Sequence, residues 1–266
     1  MMKEMPLSYH RILMRLEKQE QRLLRHRSLV PFSAQMDALR ARIPHSVQLN
    51  LERAFEKAFS LLFGPEGTRF LEHTYAKRKL EAQAMQWERP LSPDQARRKL
   101  SELKRTAALT TSLENTAAGV EGVVLGVLGI GLPDIPVLLA WLLRSLYQNA
   151  ARYGFSYDSP AERVYLLLVL QGALTEGEQR QTFSRRADRL GRALDHDWKA
   201  DYNLEVELRA AAALLAERLL LVKFIQGMPV VGVIGGAANL SLSRAVNQFG
   251  TLKYKKRFLE RKVRGL

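Results

Sequence analysis

The histidines are the first place to look for catalysis: His10, His26, His45, His73 and His196. None stands in the HExxH spacing that sets two imidazoles on one turn of a zinc-protease helix. The densest polar group is Asp195-His196-Asp197, with Asp201 four residues after Asp197. On a helix, Asp197 and Asp201 would share a face and could hold a cation. The competing reading is a charged, solvent-facing loop. Glu72-His73 is a thinner version of the same choice. No Gly-x-Ser-x-Gly elbow is present. The glycines of Gly126-Val127-Leu128-Gly129-Ile130-Gly131 lack the spacing and the strand–helix context of a dinucleotide fingerprint. No set of residues is singled out as catalytic, and neither a metal nor a cofactor is expected.

Composition narrows the partners. The chain has 266 residues, no cysteine, 47% hydrophobic residues and a net charge of +14. Without cysteine there is no disulfide, thiolate metal site or thiol nucleophile. A strong positive balance draws a protein to nucleic acid or to an anionic membrane surface. The excess sits near the ends: Lys253, Lys255, Lys256, Arg257, Arg261, Lys262 and Arg264 crowd the C-terminus, opposed locally by Glu260 alone. Met1–Val30 carries charges every few residues and no apolar core of a signal peptide, so the expectation is an unprocessed, cytoplasmic chain.

Helical periodicity dominates. Ser8–Arg27 spaces Ile12, Leu13, Leu16, Leu23 and Leu24 as an amphipathic helix. A short helical piece follows around Ala34–Arg42. Ser46–Phe63 repeats Val47, Leu51, Phe55, Phe59 and Leu62, and Gly64-Pro65 ends it. Thr68–Trp87 reads as another helix. Ser92-Pro93-Asp94-Gln95 and Ser159-Pro160-Ala161-Glu162 have the form of helix-opening boxes. A helix running into Arg152 or Tyr153 is closed by Gly154. Thr175–Leu194 reads as a charged helix and turn, Asp201 or Asn203 opens a long helix through Leu221, and Leu242–Arg264 is a basic helix. Strand alternation is sparse. The class is all-α, a multi-helix fold of nine to eleven helices, with accessory helices over 1–93 and a main domain over 94–266.

Two stretches are nearly free of charge. Gly119–Leu143 holds only Glu121 and Asp134, and Phe224–Ser243 holds none. Glycines and prolines break both: Gly126, Gly129, Gly131, Pro133 and Pro136 in the first, Pro229, Gly232, Gly235 and Gly236 in the second. Each proline removes a helix hydrogen bond, and Asp134 at mid-bilayer costs about 2.5–3.5 kcal/mol. Two arrangements satisfy this: a helical hairpin dipping into the bilayer, or a hairpin buried in a protein core. Asp134 itself suits a helix cap, with Pro136 in the first turn. The competing reading makes it a functional carboxylate.

The order and spacing of GVLGIGLPDIP at Gly126–Pro136, Leu142-Leu143-Arg144, Ala151-Arg152-Tyr153-Gly154-Phe155, Glu162-Arg163, the segment Phe224–Gly232 and Tyr254–Leu259 resemble the EcsC family over about Leu103–Arg261. The resemblance implies a helical, bacterial, membrane-linked accessory protein with a tie to transporter or envelope function. It carries over no catalytic residue. The glycines and prolines named above, with Asp134, are the expected contacts to a membrane or membrane protein. Lys253, Lys255, Lys256, Arg257 and Arg261 are the expected contacts to lipid headgroups, in preference to nucleic acid. The association expected is peripheral or re-entrant. The alternatives are an uncharacterised hydrolase with a carboxylate or metal site near Asp134 or His196, and a soluble helical regulator.

Overall fold

The structure, a computed structural model, describes residues 7–25, 43–73, 98, 134–225 and 236–264. The described residues form eight helices and no strand. They are α1 (Leu7–Arg25), α2 (His45–Leu62), α3 (Pro65–His73), α4 (Asp134–Arg152), α5 (Pro160–Leu174), α6 (Gly177–Asp195), α7 (Leu204–Ile225) and α8 (Gly236–Arg264). The expected helices around Ala34–Arg42 and after Ser92, and the boundary near Pro93, lie outside the described residues.

Local chemistry sets the helix ends. Ser159 Oγ accepts from the Glu162 backbone N–H and Pro160 takes the first turn of α5, as the sequence predicts. Asn203 Oδ1 caps Val206 at the start of α7. Gly154, at φ 77°, lets the chain reverse after α4, with Phe155 N bonded back to Ala150 O. Helix α4 begins at Asp134 with Pro136 two residues on. The last helix starts at Gly236, six residues before the expected Leu242, so the uncharged stretch Phe224–Ser243 is shared between the end of α7 and the start of α8.

Helix α5 is buried nearly all round from Val164 to Leu174 and lies at the centre of the body. Side-chain pairings give the directions of its neighbours. Ser145 bonds Asn247, Thr251 bonds Asn149, and the Tyr153 and Phe258 rings stand 5.8 Å apart. Residue numbers rise together along these pairs, so α4 and α8 run parallel. Glu162 meets Arg257 and Tyr165 meets Tyr254, so α5 runs against α8. Ser184, Asp188 and Asp195 meet Lys253, Lys256 and Arg257, so α6 runs with α8. Glu20 bonds Ser184 while Leu23 O accepts from Arg180, so α1 runs against α6. The described N-terminal helices share the main core: Leu13, Leu16, Phe55 and Phe59 belong to one apolar cluster with Leu142, Leu167 and Phe249.

The parallel pairing has a consequence for the apolar stretches. Asp134 and Gly236 each lie eleven residues before the bonded pair Ser145 and Asn247 (145 − 134 and 247 − 236). The two helices therefore begin at the same level, about 16 Å beyond that pair. Helix α7 places Glu207 against Gln171 near the end of α5. Two helix starts that border the charge-poor sequence therefore lie at one level.

Close approach along the α4–α8 seam depends on Gly250, where an added Cβ would stand 2.8 Å from Leu146 Cδ2. Gly250→Leu is expected to lower stability by about 2–3 kcal/mol in chemical denaturation, because both faces of the seam are already filled.

Candidate functional site: a buried charge network on the last helix

Helix α8 carries its apolar stripe as Leu242, Val246 and Phe249, at steps of four and three. Continued, that register falls on Lys253 and Lys256, so the core-facing stripe of α8 becomes cationic halfway along. Helix α1 does the converse: Tyr9, Leu13 and Leu16 are buried, and the next position in register is Glu20. On α6, Ser184, Asp188 and Asp195 repeat at helical spacing along one face.

These faces meet. The Lys253 side chain is 0% exposed. Its Nζ donates to Glu20 Oε1 at 2.9 Å, Ser184 Oγ at 3.0 Å and the Ser184 carbonyl at 3.1 Å, and pairs with Asp188. Lys256 Nζ donates to Glu20 Oε2 at 2.6 Å and Asp188 Oδ2 at 2.7 Å. Two cations and two carboxylates from three helices thus close a ring, each carboxylate bridging both lysines. Arg257 makes the second half of the network. Its guanidinium forks onto Glu162 through two 2.7 Å bonds and onto Asp195 at 2.9 and 3.1 Å. It stacks between the Phe155 and Tyr165 rings, 4.3 and 4.7 Å from their centroids. Planar bidentate geometry and ring stacking together are what arginine supplies and lysine does not. Gly191 makes room: a Cβ there would stand 3.1 Å from Arg257 Cδ and 2.9 Å from the Tyr165 ring.

Charge coupling shows in the protonation. Burial alone would raise the Glu20 carboxyl, but the Lys253 and Lys256 ammonium groups outweigh it and hold it at about 2. Burial also works against the Lys256 charge; Asp188 and Glu20 more than offset that and push its pKa up. Arg257 is raised in the same way, chiefly by Glu162 after burial is overcome.

The residues expected at lipid headgroups are placed otherwise. Lys253, Lys255, Lys256 and Arg257 are buried, and the first, third and fourth are engaged with carboxylates inside the fold. A dense run of cations at a chain terminus reads as a solvent face, yet here it lies in the core-facing register. Arg261 is half-buried, with its guanidinium 5.4 Å from the Phe155 ring centroid. The Asp195-His196-Asp197 group is dispersed: Asp195 serves Arg257, His196 Nε2 faces Arg264 at 3.1 Å and stacks on Trp198, and Asp197 sits at φ 51° in the following turn. Asp201 lines a separate cleft. Glu72 accepts from the Tyr157 hydroxyl at 2.6 Å. No group of three or more potential metal ligands gathers among the described residues. Gly126, Gly129, Gly131, Pro133, Pro229, Gly232 and Gly235 lie outside the described residues. Pro136 is buried in the first turn of α4, and Gly236 is the first residue of α8.

Removing one member leaves buried charge unmatched, which typically costs about 3–5 kcal/mol. Glu20→Ala is expected to fall in that range by denaturant titration, with Arg257→Lys also destabilising because the fork onto two carboxylates is lost. The sign of the pH effect follows from the Glu20 shift. Its folded pKa lies below the ordinary 4.5, so its contribution is full above about 4.5 and declines as pH falls toward 2. The amount is about 3 kcal/mol. Glu20→Gln should flatten the acid limb of a stability–pH profile over that window.

The family model described as the EcsC protein family matches residues 10–259, from within α1 to the buried part of α8. Protein EcsC of Bacillus subtilis (strain 168) is 29% identical over 146 residues, 54% of this chain and 58% of that protein. The chain thus spans less than two thirds of that relative. No solved structure matches. With the match running through nearly every described helix, the chain belongs to the EcsC protein family.

Proposed function

We propose that the protein is a membrane-associated accessory protein whose glycine- and proline-broken apolar segments meet a bilayer or a membrane protein at one end of the helical body. The observation that carries this reading is the shared level of Asp134 and Gly236. The sequence before each is charge-poor: Gly122–Pro133 holds no charged residue and neither does Phe224–Gly235. Because α4 and α8 run parallel and in register, both segments join the body at one end. Segments that enter the body at one level can serve one surface, which segments entering at opposite ends could not. No described helix is long and apolar enough to cross a membrane. Peripheral or re-entrant contact needs no such helix.

Headgroup pairing by Lys253, Lys256 and Arg257 plays no part in this reading. They are paired within the fold, and Lys253 is seventeen residues along α8 from Gly236, about 25 Å from the apolar end. The attraction is therefore apolar before it is electrostatic.

Vesicle flotation with the full chain tests the proposal. Binding should persist at about 1 M salt, where charge screening acts within about 3 Å. Val231→Asp and Leu128→Asp should each weaken it at least several-fold while leaving the thermal melt unchanged. Recovery of the unmodified chain wholly apart from vesicles and from membrane fractions would overturn it.

A further inference from the structure

A second feature stands apart from both the charge network and the apolar end. A cleft of about 470 Å³ opens between α5, α6 and the turn joining α6 to α7. That size falls within the range of small-molecule sites, and the cleft joins an apolar floor to a strongly polar rim. The floor is Val164 and Leu168 of α5 with Leu190 of α6. Arg186, Arg189 and Lys199 stand at the rim with Asp201 and Tyr202.

The charges of the cleft are not equivalent. Glu207 is buried and satisfied twice, by Arg186 and by Gln171 Nε2 at 3.1 Å. Arg186 is thereby spent on Glu207. Arg189 and Lys199 have no ion-pair partner among the described residues and are exposed. They leave the cleft with two available cations against one available carboxylate, Asp201. Beside them Tyr202 is 43% exposed at the cleft and Trp198 is 61% exposed on the same turn. Tyr202 thus offers a planar apolar face beside two cations that no carboxylate among the described residues engages. The turn is held in place: Trp198 N bonds Ala193 O at 2.9 Å, and the His196 ring stacks on Trp198 at 4.4 Å.

We propose that this cleft binds a small organic phosphate carrying a planar ring, as a nucleoside monophosphate does. The phosphate lies between Arg189 and Lys199. The ring stacks on Tyr202 over the apolar floor, and Asp201 accepts from a sugar hydroxyl or ring amine. The assignment stands independently of the membrane reading, since the cleft opens beside the Asp195 end of α6, far from Asp134 and Gly236 along the parallel helices.

Calorimetric titration of the full chain with AMP, glycerol 3-phosphate and inorganic phosphate tests it. AMP is expected to bind more tightly than either of the others. Arg189→Ala and Lys199→Ala should each weaken AMP roughly tenfold, the scale of one charge-assisted contact. Tyr202→Ala should weaken AMP and leave inorganic phosphate unchanged. All three positions are exposed, and an unchanged thermal melt confirms that the variants fold. No AMP binding, AMP binding no tighter than inorganic or glycerol phosphate, or AMP binding indifferent to both cation variants would each overturn the proposal.

Discussion

The arrangement of helices depends on the burial of three cations on one face of α8. An ammonium group taken out of water costs several kcal/mol unless carboxylates and hydrogen bonds replace its hydration. Lys253 and Lys256 face inward, so every helix that covers them must bring an acceptor. Helix α1 brings Glu20, and α6 brings Ser184 and Asp188. Arg257 imposes the same demand one turn on, met by Glu162 from the first turn of α5 and Asp195 from the last turn of α6. A slide of α6 by one turn would move Asp188 and Asp195 about 5 Å out of reach together. Apolar packing alone tolerates such slips more readily, because Leu against Leu reads much the same one turn away. The charges thus fix register where the apolar surface fixes only burial.

Much of the scaffold is legible in the sequence because the signals are local. The Ser159 box and the Gly154 stop each act within a few residues of themselves and appear where expected, and of the two openings offered for α7, Asp201 and Asn203, the cap is Asn203. The apolar run Val164–Leu170 has no polar face, and α5 is accordingly buried nearly all round. The charge network is different in kind. Its pairs join residues as far apart in sequence as Glu20 and Lys256, and nothing local says which carboxylate answers which lysine. One trace was nonetheless available: Glu20 continues the Tyr9, Leu13, Leu16 stripe, and Lys253 and Lys256 continue that of Val246 and Phe249. A charged residue in the core register of an amphipathic helix points to a partner of opposite sign across the interface. Counting basic residues along the C-terminal stretch hides this, since the count ignores the face on which each one stands. The cleft was illegible for a related reason. Val164, Leu190 and Tyr202 come from three segments, and Arg189 gains meaning only once Arg186 is seen to be occupied by Glu207.

Along α8 the environment changes in order. Its first turns adjoin the charge-poor sequence before Gly236. Its middle meets α4 through Asn247, Gly250 and Thr251, a seam of small and amide side chains that lets the helices approach closely. Its second half carries the buried charges. A helix of 29 residues is about 44 Å long, so these zones are well separated. The separation matters physically. The charge network begins about 25 Å along α8 from Gly236 and keeps the protein surroundings that stabilise it.

The shared carboxylates also decide how the body comes apart. Glu20 bridges two lysines, and Asp188 bridges the same two. Neither half of the ring is satisfied alone: losing α1 would leave two buried ammonium groups competing for Asp188. The free energy of the ring is therefore realised only when α1, α6 and α8 are docked together, and α5 is tied to them through Glu162 and Arg257. Interactions shared in this way couple the helices more strongly than their separate apolar contacts would. On this argument α1, although it comes from the far end of the chain, is no detachable layer over the body. It supplies the anion without which the last helix could not turn its cations inward.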